Sequence, residues 1–577
     1  MMKRIFFSLL LYAAVMISGD GLKAQGTPAF EQHTFCNPLN LSYRFCLDEP
    51  SRREAADPAV ITFNNEYYLF ASKSGGYWHS TDLLKWDFIT SADLPLEDYA
   101  PTAVVINNMV YFMASSAGSV TRIYRTADPK TGRWELANAA FPISLVDPDL
   151  FLDDDGRLYL FYGCSDVNPV YGVELDLETL MPKGKPIACF NSHKQDFGWE
   201  RTGDYNEGHD NPWIEGAWMT KYKGKYFLQY AAPGTQFKSY ADGLYLADSP
   251  LGPFKAALNN PVSYKPEGFI AGAGHSSTFK DKFGNYWHIS TMSISVKHMF
   301  ERRIGLFPMF FDAAGELYTY TGFGDFPMKM PQKKISGPAE LFPGWMLLSY
   351  HQPLLVSSAL ADHPKENAVN ENIRNYWSAA SGKHGEWIIV DLQKECTVNA
   401  VQLDFADHDV HLHGRSADIF YAYLLQYSSD GKTWKTLADK TLNRTDVPHD
   451  YIQLKQAVKG RYIRLVNMHV PDGTFALSGF RVFGKGPGSL PAEVNGFTAT
   501  RNAKDKCEVT LKWGKQKGAA GYNIRYGTQP GKLYQNYEVL QGESLTIRSL
   551  NSSLKYYFTV DAFNANGIRK GRKVSAF

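Results

Sequence analysis

Three carboxylates recur at comparable places in the first half of the chain: Asp57, Asp147 and Glu215. They sit in the signatures Ala56-Asp57-Pro58, Val146-Asp147-Pro148 and Ile214-Glu215-Gly216. Two further signatures, Tyr99-Ala100-Pro101 and Gly274-His275-Ser276, keep the same rhythm. Carboxylates brought together from distant segments can divide the work of glycoside hydrolysis. One, protonated, gives its proton to the leaving oxygen, and another, ionised, activates water or attacks directly. Crowding raises the pKa of at least one member of such a set. A single Asp-Pro more often marks a strand entry, where Asp bonds nearby backbone. Recurrence in register argues against that reading for all three. Asp153, Asp154 and Asp155 read as turn residues, and Glu207 and Asp210, rivals to Glu215, fall outside the repeat. His275 reads either as a satisfied core histidine or as a neighbour of a bound ion, and one His alone is a weak metal signal.

The elements that must position these residues are five aromatic strands, each following its signature by 11 or 12 residues. They are Tyr68-Leu-Phe-Ala-Ser, Tyr111-Phe-Met-Ala-Ser, Tyr159-Leu-Phe-Tyr-Gly, Phe227-Leu-Gln-Tyr-Ala and Trp287-His-Ile-Ser-Thr. Short polar or Gly turns precede them: Asn64-Asn65, Asn107-Asn108, Asp155-Gly156, Lys223-Gly224 and Phe283-Gly284-Asn285. These are hairpin signals. Successive aromatic strands lie 43, 48, 68 and 60 residues apart, which suits propeller blades of four strands. In a propeller, equivalent positions converge on one axis. The expectation is an all-β chain: a five-bladed β-propeller over 30–330, then two β-sandwiches. A polar insertion, Cys189 to Asn211, is expected to decorate one propeller face.

A Pro- and Gly-containing linker covers 331–353. Residues 354–486 hold short strand candidates separated by polar turns, the pattern of a β-sandwich. Residues 492–577 alternate with period two, as in Val509-Thr-Leu-Lys-Trp513, and have the size of an immunoglobulin-like sandwich.

Charge is balanced, 60 Lys+Arg against 59 Asp+Glu, which gives no support to nucleic-acid partners or to broad attraction to anionic membranes. Met1-Met2-Lys3-Arg4 and the apolar run Ile5 to Ser18 read as a signal peptide over 1–25, with Ala24-Gln25 near its cleavage site. The run is short for a membrane span, so the expectation is an exported chain, periplasmic or secreted, with no membrane insertion. Six cysteines match no zinc spacing. Cys36 and Cys46 could close a loop or stay as thiols. Cys396 and Cys507 read as buried apolar residues.

Residues 37–326 resemble glycoside hydrolase family 43, a five-bladed propeller family. The matching pieces are Asn37-Pro38, Ala56-Asp57-Pro58, Tyr77-Trp78-His79-Ser80-Thr81-Asp82-Leu83, Val146-Asp147-Pro148-Asp149-Leu150-Phe151, Ile214-Glu215-Gly216, Gly274-His275-Ser276 and Arg302. The resemblance implies an inverting mechanism with Asp57 as general base and Glu215 as general acid. Asp147 would orient Glu215 and favour its protonated form. It also implies that Arg302 approaches the substrate, that Trp78 stacks on the terminal sugar, and that His275 lines the substrate channel beside a calcium ion, directly or through water. No cofactor is required for the chemistry. Tyr99-Ala100-Pro101 departs from the commoner Trp-Ala-Pro, and Gly216-Ala217-Trp218 from the commoner Gly-Pro. Residues 354–486 resemble discoidin-type (factor 5/8 type C) modules through Trp387, Val390-Asp391-Leu392, Tyr427-Ser428-Ser429-Asp430-Gly431, Trp434 and Arg461-Tyr462-Ile463-Arg464. The last segment resembles fibronectin type III through Trp513, Tyr522, Leu550 and Tyr556.

The function so implied is hydrolysis of plant oligo- or polysaccharide by an exo-acting α-L-arabinofuranosidase. β-Xylosidase and exo-galactanase activities are the alternatives within the family. A non-catalytic carbohydrate-binding protein is the alternative of another class, and the presence of all three carboxylates argues against it. A retaining fructan-active enzyme would carry a Glu-Cys pair where this chain has Glu215-Gly216.

Overall fold

A computed structural model describes residues 33–116, 118–572 and 575–576, so the signal-peptide expectation lies outside the described residues. The described chain is built of β-strands, and its helical segments are four short 3-10 turns. No helix among them is long and apolar enough to cross a membrane.

Five antiparallel four-stranded sheets make the blades of a propeller. Blade 1 comprises Ala59–Phe63, Glu66–Phe70, Tyr77–Ser80 and Asp87–Ile89. Blades 2 to 5 open with Thr102–Ile106, Asp149–Leu152, Glu215–Tyr222 and Ala271–Lys280. The first strands of neighbouring blades touch, blade 5 against blade 1 included, which closes the ring. The closure is reinforced where Thr34–Phe35 pairs with Met328–Lys329.

The turns explain the hairpins. Asn64 and Asn65 both have positive φ (51° and 62°), as do Asn107 and Asn108 (48° and 59°). Two left-handed residues in succession give the turn whose twist matches antiparallel strands, and Asn tolerates that conformation. The aromatic strands are buried because each is covered on both faces. Tyr67 and Leu69 pack with Trp287, Ile289 and Ile304 of blade 5. Tyr68 and Phe70, pointing the other way, pack with Ala103, Val110 and Phe112 of blade 2. Alternation along one strand therefore cements two blade interfaces.

A second sheet system follows. Its spine is the order Met346–Leu347, Ala476–Lys485, Trp387–Phe405, His449–His469, Ala422–Ser428 and Lys435–Asp439. Its core includes Trp377, Leu403, Leu425, Leu465 and Phe480. The C-terminal part holds two sheets, one of Thr498–Arg501, Val509–Lys512 and Ser544–Ile547, the other centred on Gly521–Gly527 and Tyr557–Asn564.

The insertion 189–211 corrects an expectation. It is a wedge and not a decoration, because its centre is buried. Trp199 is fully buried in a cluster shared by blade 4 and the C-terminal sheets. Glu200 accepts a hydrogen bond from the Tyr230 hydroxyl (2.5 Å), and burial pushes its carboxyl up to about 8. All six cysteines are free thiols, and Cys396 and Cys507 are buried.

Candidate active site

The five signatures meet at the ring of first strands. Sheet register makes the equivalence explicit. Ala59, Thr102, Asp149, Trp218 and Ser277 each pair with the third residue of an aromatic strand: Phe70, Met113, Phe161, Gln229 and Ile289. Two residues before them stand Asp57, Ala100, Asp147, Gly216 and His275, and all five have positive φ, between 45° and 62°. In blade 4 the equivalent residue is thus Gly216, and Glu215 sits one place earlier than the repeat implied. Gly216 is required there: its φ is 62°, and a Cβ would lie 2.7 Å from His275 Cγ. The imidazole packs directly over the glycine.

The same register supplies hydroxyls. In three of the five blades the fifth residue of the aromatic strand caps the amide of the signature residue in the next blade. Thr291 Oγ1 accepts from Asp57 N (2.8 Å), Ser72 Oγ from Ala100 N (2.6 Å), and Ser115 Oγ from Asp147 N (2.9 Å). These bonds relieve buried N–H groups and fix the left-handed corners.

Around Asp57 the groups are cationic or donating. Ser72 Oγ donates to Oδ2 (2.7 Å), and Arg302 Nη1 donates to Oδ1 (3.1 Å). His275 Nδ1 lies 3.3 Å from Oδ1. Burial alone would raise this carboxyl, but Arg302, His275 and the Ser72 and Thr291 hydroxyls outweigh it and hold Asp57 below the ordinary carboxylate value. Arg302 is itself fixed by Glu54 (2.6 Å to Oε1) and by Thr235 Oγ1 (3.3 Å), with Phe300 and Tyr99 rings against its guanidinium. An ionised, buried and oriented carboxylate is what activation of water requires.

Asp147 has the opposite environment. Burial, with the Glu215 and Asp57 carboxylates beside it, pushes it up to about 7 against the pull of His275. It accepts from Gly216 N (3.3 Å), and His275 Nδ1 lies 3.7 Å away. Glu215 is held at both oxygens: the Tyr240 hydroxyl donates to Oε1, and the Cys164 thiol donates to Oε2 (3.1 Å). Ligand atoms of Asp147, Cys164 and Glu215 all lie within 4.8 Å of one another. His275 ties the two halves, and burial, which would lower it, is outweighed by Asp57, Asp147 and Glu215, which raise it.

Asp57, Asp147, Glu215, His275 and Arg302 therefore come together. Trp78 does not, and its expected stacking role is corrected. Its strand Tyr77–Ser80 turns the indole into the blade 5–blade 1 core. It is 0% exposed, edge-on to Phe88, and donates from Nε1 to Ser42 Oγ at 3.4 Å, so it offers no face to a sugar. Sequence reading missed Glu54, Ser72, Cys164, Thr235, Tyr240 and Thr291. Ser72 and Thr291 were visible in principle, since both end a repeated strand. The calcium ion implied beside His275 finds suitable chemistry nearby. Among the described residues, the buried Asp242 oxygens and Ser276 Oγ have no aligned hydrogen-bond partner, although His288 Nε2 lies 3.2 Å from Asp242 Oδ2. Asp242 is near enough to raise His275 electrostatically. Oxygen donors of this kind fit a hard cation.

The chain is similar to known proteins. Residues 51–316 match the family model of glycosyl hydrolases family 43, and residues 355–478 match the F5/8 type C domain. A β-D-galactofuranosidase of Aspergillus niger is 25% identical over 298 residues, covering 45% of this chain and 81% of its own. A xylosidase/arabinosidase of Butyrivibrio fibrisolvens is 24% identical over 271 residues, covering 41% of this chain and 49% of its own. A crystal structure of a thermostable family-43 glycoside hydrolase aligns at 22% identity and TM-score 0.41, over 53% of this chain and 99% of its own. The propeller, with its three converging carboxylates, is a family 43 glycosyl hydrolase domain, and the sandwich that follows it is an F5/8 type C domain.

Proposed function

We propose that this glycoside hydrolase removes terminal α-L-arabinofuranosyl residues from plant polysaccharide or its oligosaccharides, with inversion at the anomeric carbon. β-Xylose is the alternative pentose, and galactan the third candidate. The names of the relatives, xylosidase/arabinosidase and β-D-galactofuranosidase, support this range of sugars.

One observation carries the mechanism: Asp57 and Asp147, both buried, are shifted in opposite directions, Asp57 below the ordinary carboxylate value by Arg302 and Asp147 above it by burial and its carboxylate neighbours. Asp57, kept anionic by Arg302, takes a proton from water as that water attacks the anomeric carbon. Glu215 gives its proton to the departing glycosidic oxygen, oriented by Tyr240 and Cys164. Asp147 and His275 stand between them and balance charge as the two protons move. Glu215→Gln tests the assignment. It should cost several orders of magnitude in kcat on a glycoside with a poor leaving group and far less on a nitrophenyl glycoside, whose departure needs little acid help. Equal loss on both rejects Glu215 as the acid. NMR of the first-formed anomer tests inversion, and net retention removes Asp57 from the role of base.

A calcium ion in the channel is part of the reading. Asp242 and Ser276 would contribute to holding it, and its charge would stabilise the surrounding carboxylates. Chelation should then lower the thermal unfolding midpoint of the full chain, and calcium alone should restore it. Export to the periplasm or medium is supported by the basic and apolar N-terminal residues, and N-terminal sequencing of the exported protein checks it. The C-terminal sheets, which we read as fibronectin type III-like, serve as a brace. The wedge residue Trp199 buried between them and blade 4 supports that role.

A further inference from the structure

The F5/8 type C domain touches a loop of the catalytic apparatus. Residues 233–240 of blade 4 carry two groups already described. Thr235 accepts from Arg302, the partner of Asp57, and Tyr240 donates to Glu215. The loop therefore sets the base side and the acid side together. Within the propeller it is held by Ser293, which donates to Thr235 O (2.5 Å), and by Ser239, which donates to Gly203 O (2.7 Å).

Its outer turn is held from the neighbouring domain. Arg374 Nη1 donates to Asp204 Oδ2 (2.8 Å), and Nη2 donates to Gln236 O (3.3 Å). The other oxygen of Asp204 accepts from Lys238 N (2.9 Å). One guanidinium thus binds the loop directly at Gln236 and again at Lys238 through Asp204. A planar fork suits this double duty, which a point charge cannot reproduce. The base of the fork is anchored as well: Ile373 N donates to Phe269 O (3.0 Å), and Arg374 N to Asn372 Oδ1 (3.1 Å).

We propose that Arg374 of the F5/8 type C domain is a positioning residue for hydrolysis, holding the 233–240 loop so that Tyr240 keeps Glu215 aligned for proton transfer. The domain is thereby a working part of the catalytic site. This rests on Glu215 being the acid. The Arg374 and Asp204 side chains are 20% and 32% exposed, so water still reaches either group when substitution of the other leaves it alone. Loss of the ion pair therefore separates alignment from folding.

The test uses the full chain and compares an alkyl with a dinitrophenyl glycoside of whichever sugar the wild type hydrolyses. Arg374→Ala and Asp204→Asn should each lower kcat on the alkyl glycoside by about 10- to 100-fold, the scale set by small misplacements of reacting groups. On the dinitrophenyl glycoside the loss should be about tenfold smaller, because acid assistance matters less there. The double variant should be no worse than Arg374→Ala alone, since both remove one shared contact. Circular dichroism and the unfolding midpoint should stay close to wild type. Glu215→Gln is run alongside. If it discriminates between the two glycosides and Arg374→Ala and Asp204→Asn do not, the positioning role is overturned and the acid assignment stands. If none of the three discriminates, the acid assignment falls and the positioning role falls with it.

Discussion

Asp57 and Asp147 occupy equivalent corners of two blades, share a left-handed backbone, and are shifted in opposite directions from the ordinary carboxylate value for reasons that can be named. Asp57 faces a guanidinium and two hydroxyls, whereas Asp147 faces two other carboxylates. The difference has a consequence for stability. The value for Asp147 in the folded chain, about 7, lies above its ordinary value of 3.8. The folded chain therefore keeps this proton over a range in which the unfolded chain has released it. The stability so contributed is complete below about pH 4 and is lost as pH rises through about 7. Asp147→Asn cannot titrate and should escape that loss. Denaturant unfolding at pH 4, 5.5 and 7 should show the variant gaining on the wild type at each step. A difference independent of pH would remove Asp147 from this role.

At the scale of the element, the repeat was legible because its parts obey different local rules that coincide. Asn64-Asn65 and Asn107-Asn108 announce their turns, and the aromatic strands announce burial on two faces. What sequence could not fix was the register of blade 4. By residue type alone Glu215, the carboxylate, aligns with Asp57 and Asp147. The sheet pairing of Trp218 with Gln229 instead puts Gly216 at the corner. The glycine was the signal: only a residue without Cβ fits beneath the His275 ring at that φ. Trp78 failed for a related reason. A Trp in a strand reads the same whether its face meets sugar or core, and the neighbouring blade that covers it is formed by residues some two hundred positions away. Tyr240 and Cys164 carry no local pattern at all. They matter because the ring brings loops from blades 3 and 4 to opposite oxygens of one carboxylate.

For the whole molecule, the propeller and the F5/8 type C domain share buried charge. Arg481, on the Ala476–Lys485 strand, is enclosed and donates to both Glu371 oxygens at 2.8 to 3.1 Å, to Gln402 Oε1 (2.7 Å) and to the propeller carbonyl of Asp325 (2.6 Å). Asp325 in turn binds Lys265 of the propeller at 2.8 Å. Burial raises the Glu371 carboxyl even though Arg481 pulls it down, so this carboxylate depends on its partner. Arg481→Met should strand Glu371 and cost about 3–5 kcal/mol, the range for breaking a buried pair from one side. Because the guanidinium also ties Asp325, the propeller should lose stability with the sandwich, in one calorimetric transition. Adding Glu371→Gln removes the stranded charge and should recover part of the loss. If the double variant is no more stable than Arg481→Met, the lost energy belongs to packing against Phe269 and Phe483, whose rings lie 4.6 and 4.9 Å from the guanidinium. If two separate transitions appear in the wild type, the shared charge does not couple the domains. A single transition that shifts as a unit would mean that the hydrolase and its accessory domain fold as one body, which is the condition under which Arg374 can hold a catalytic loop from outside the propeller.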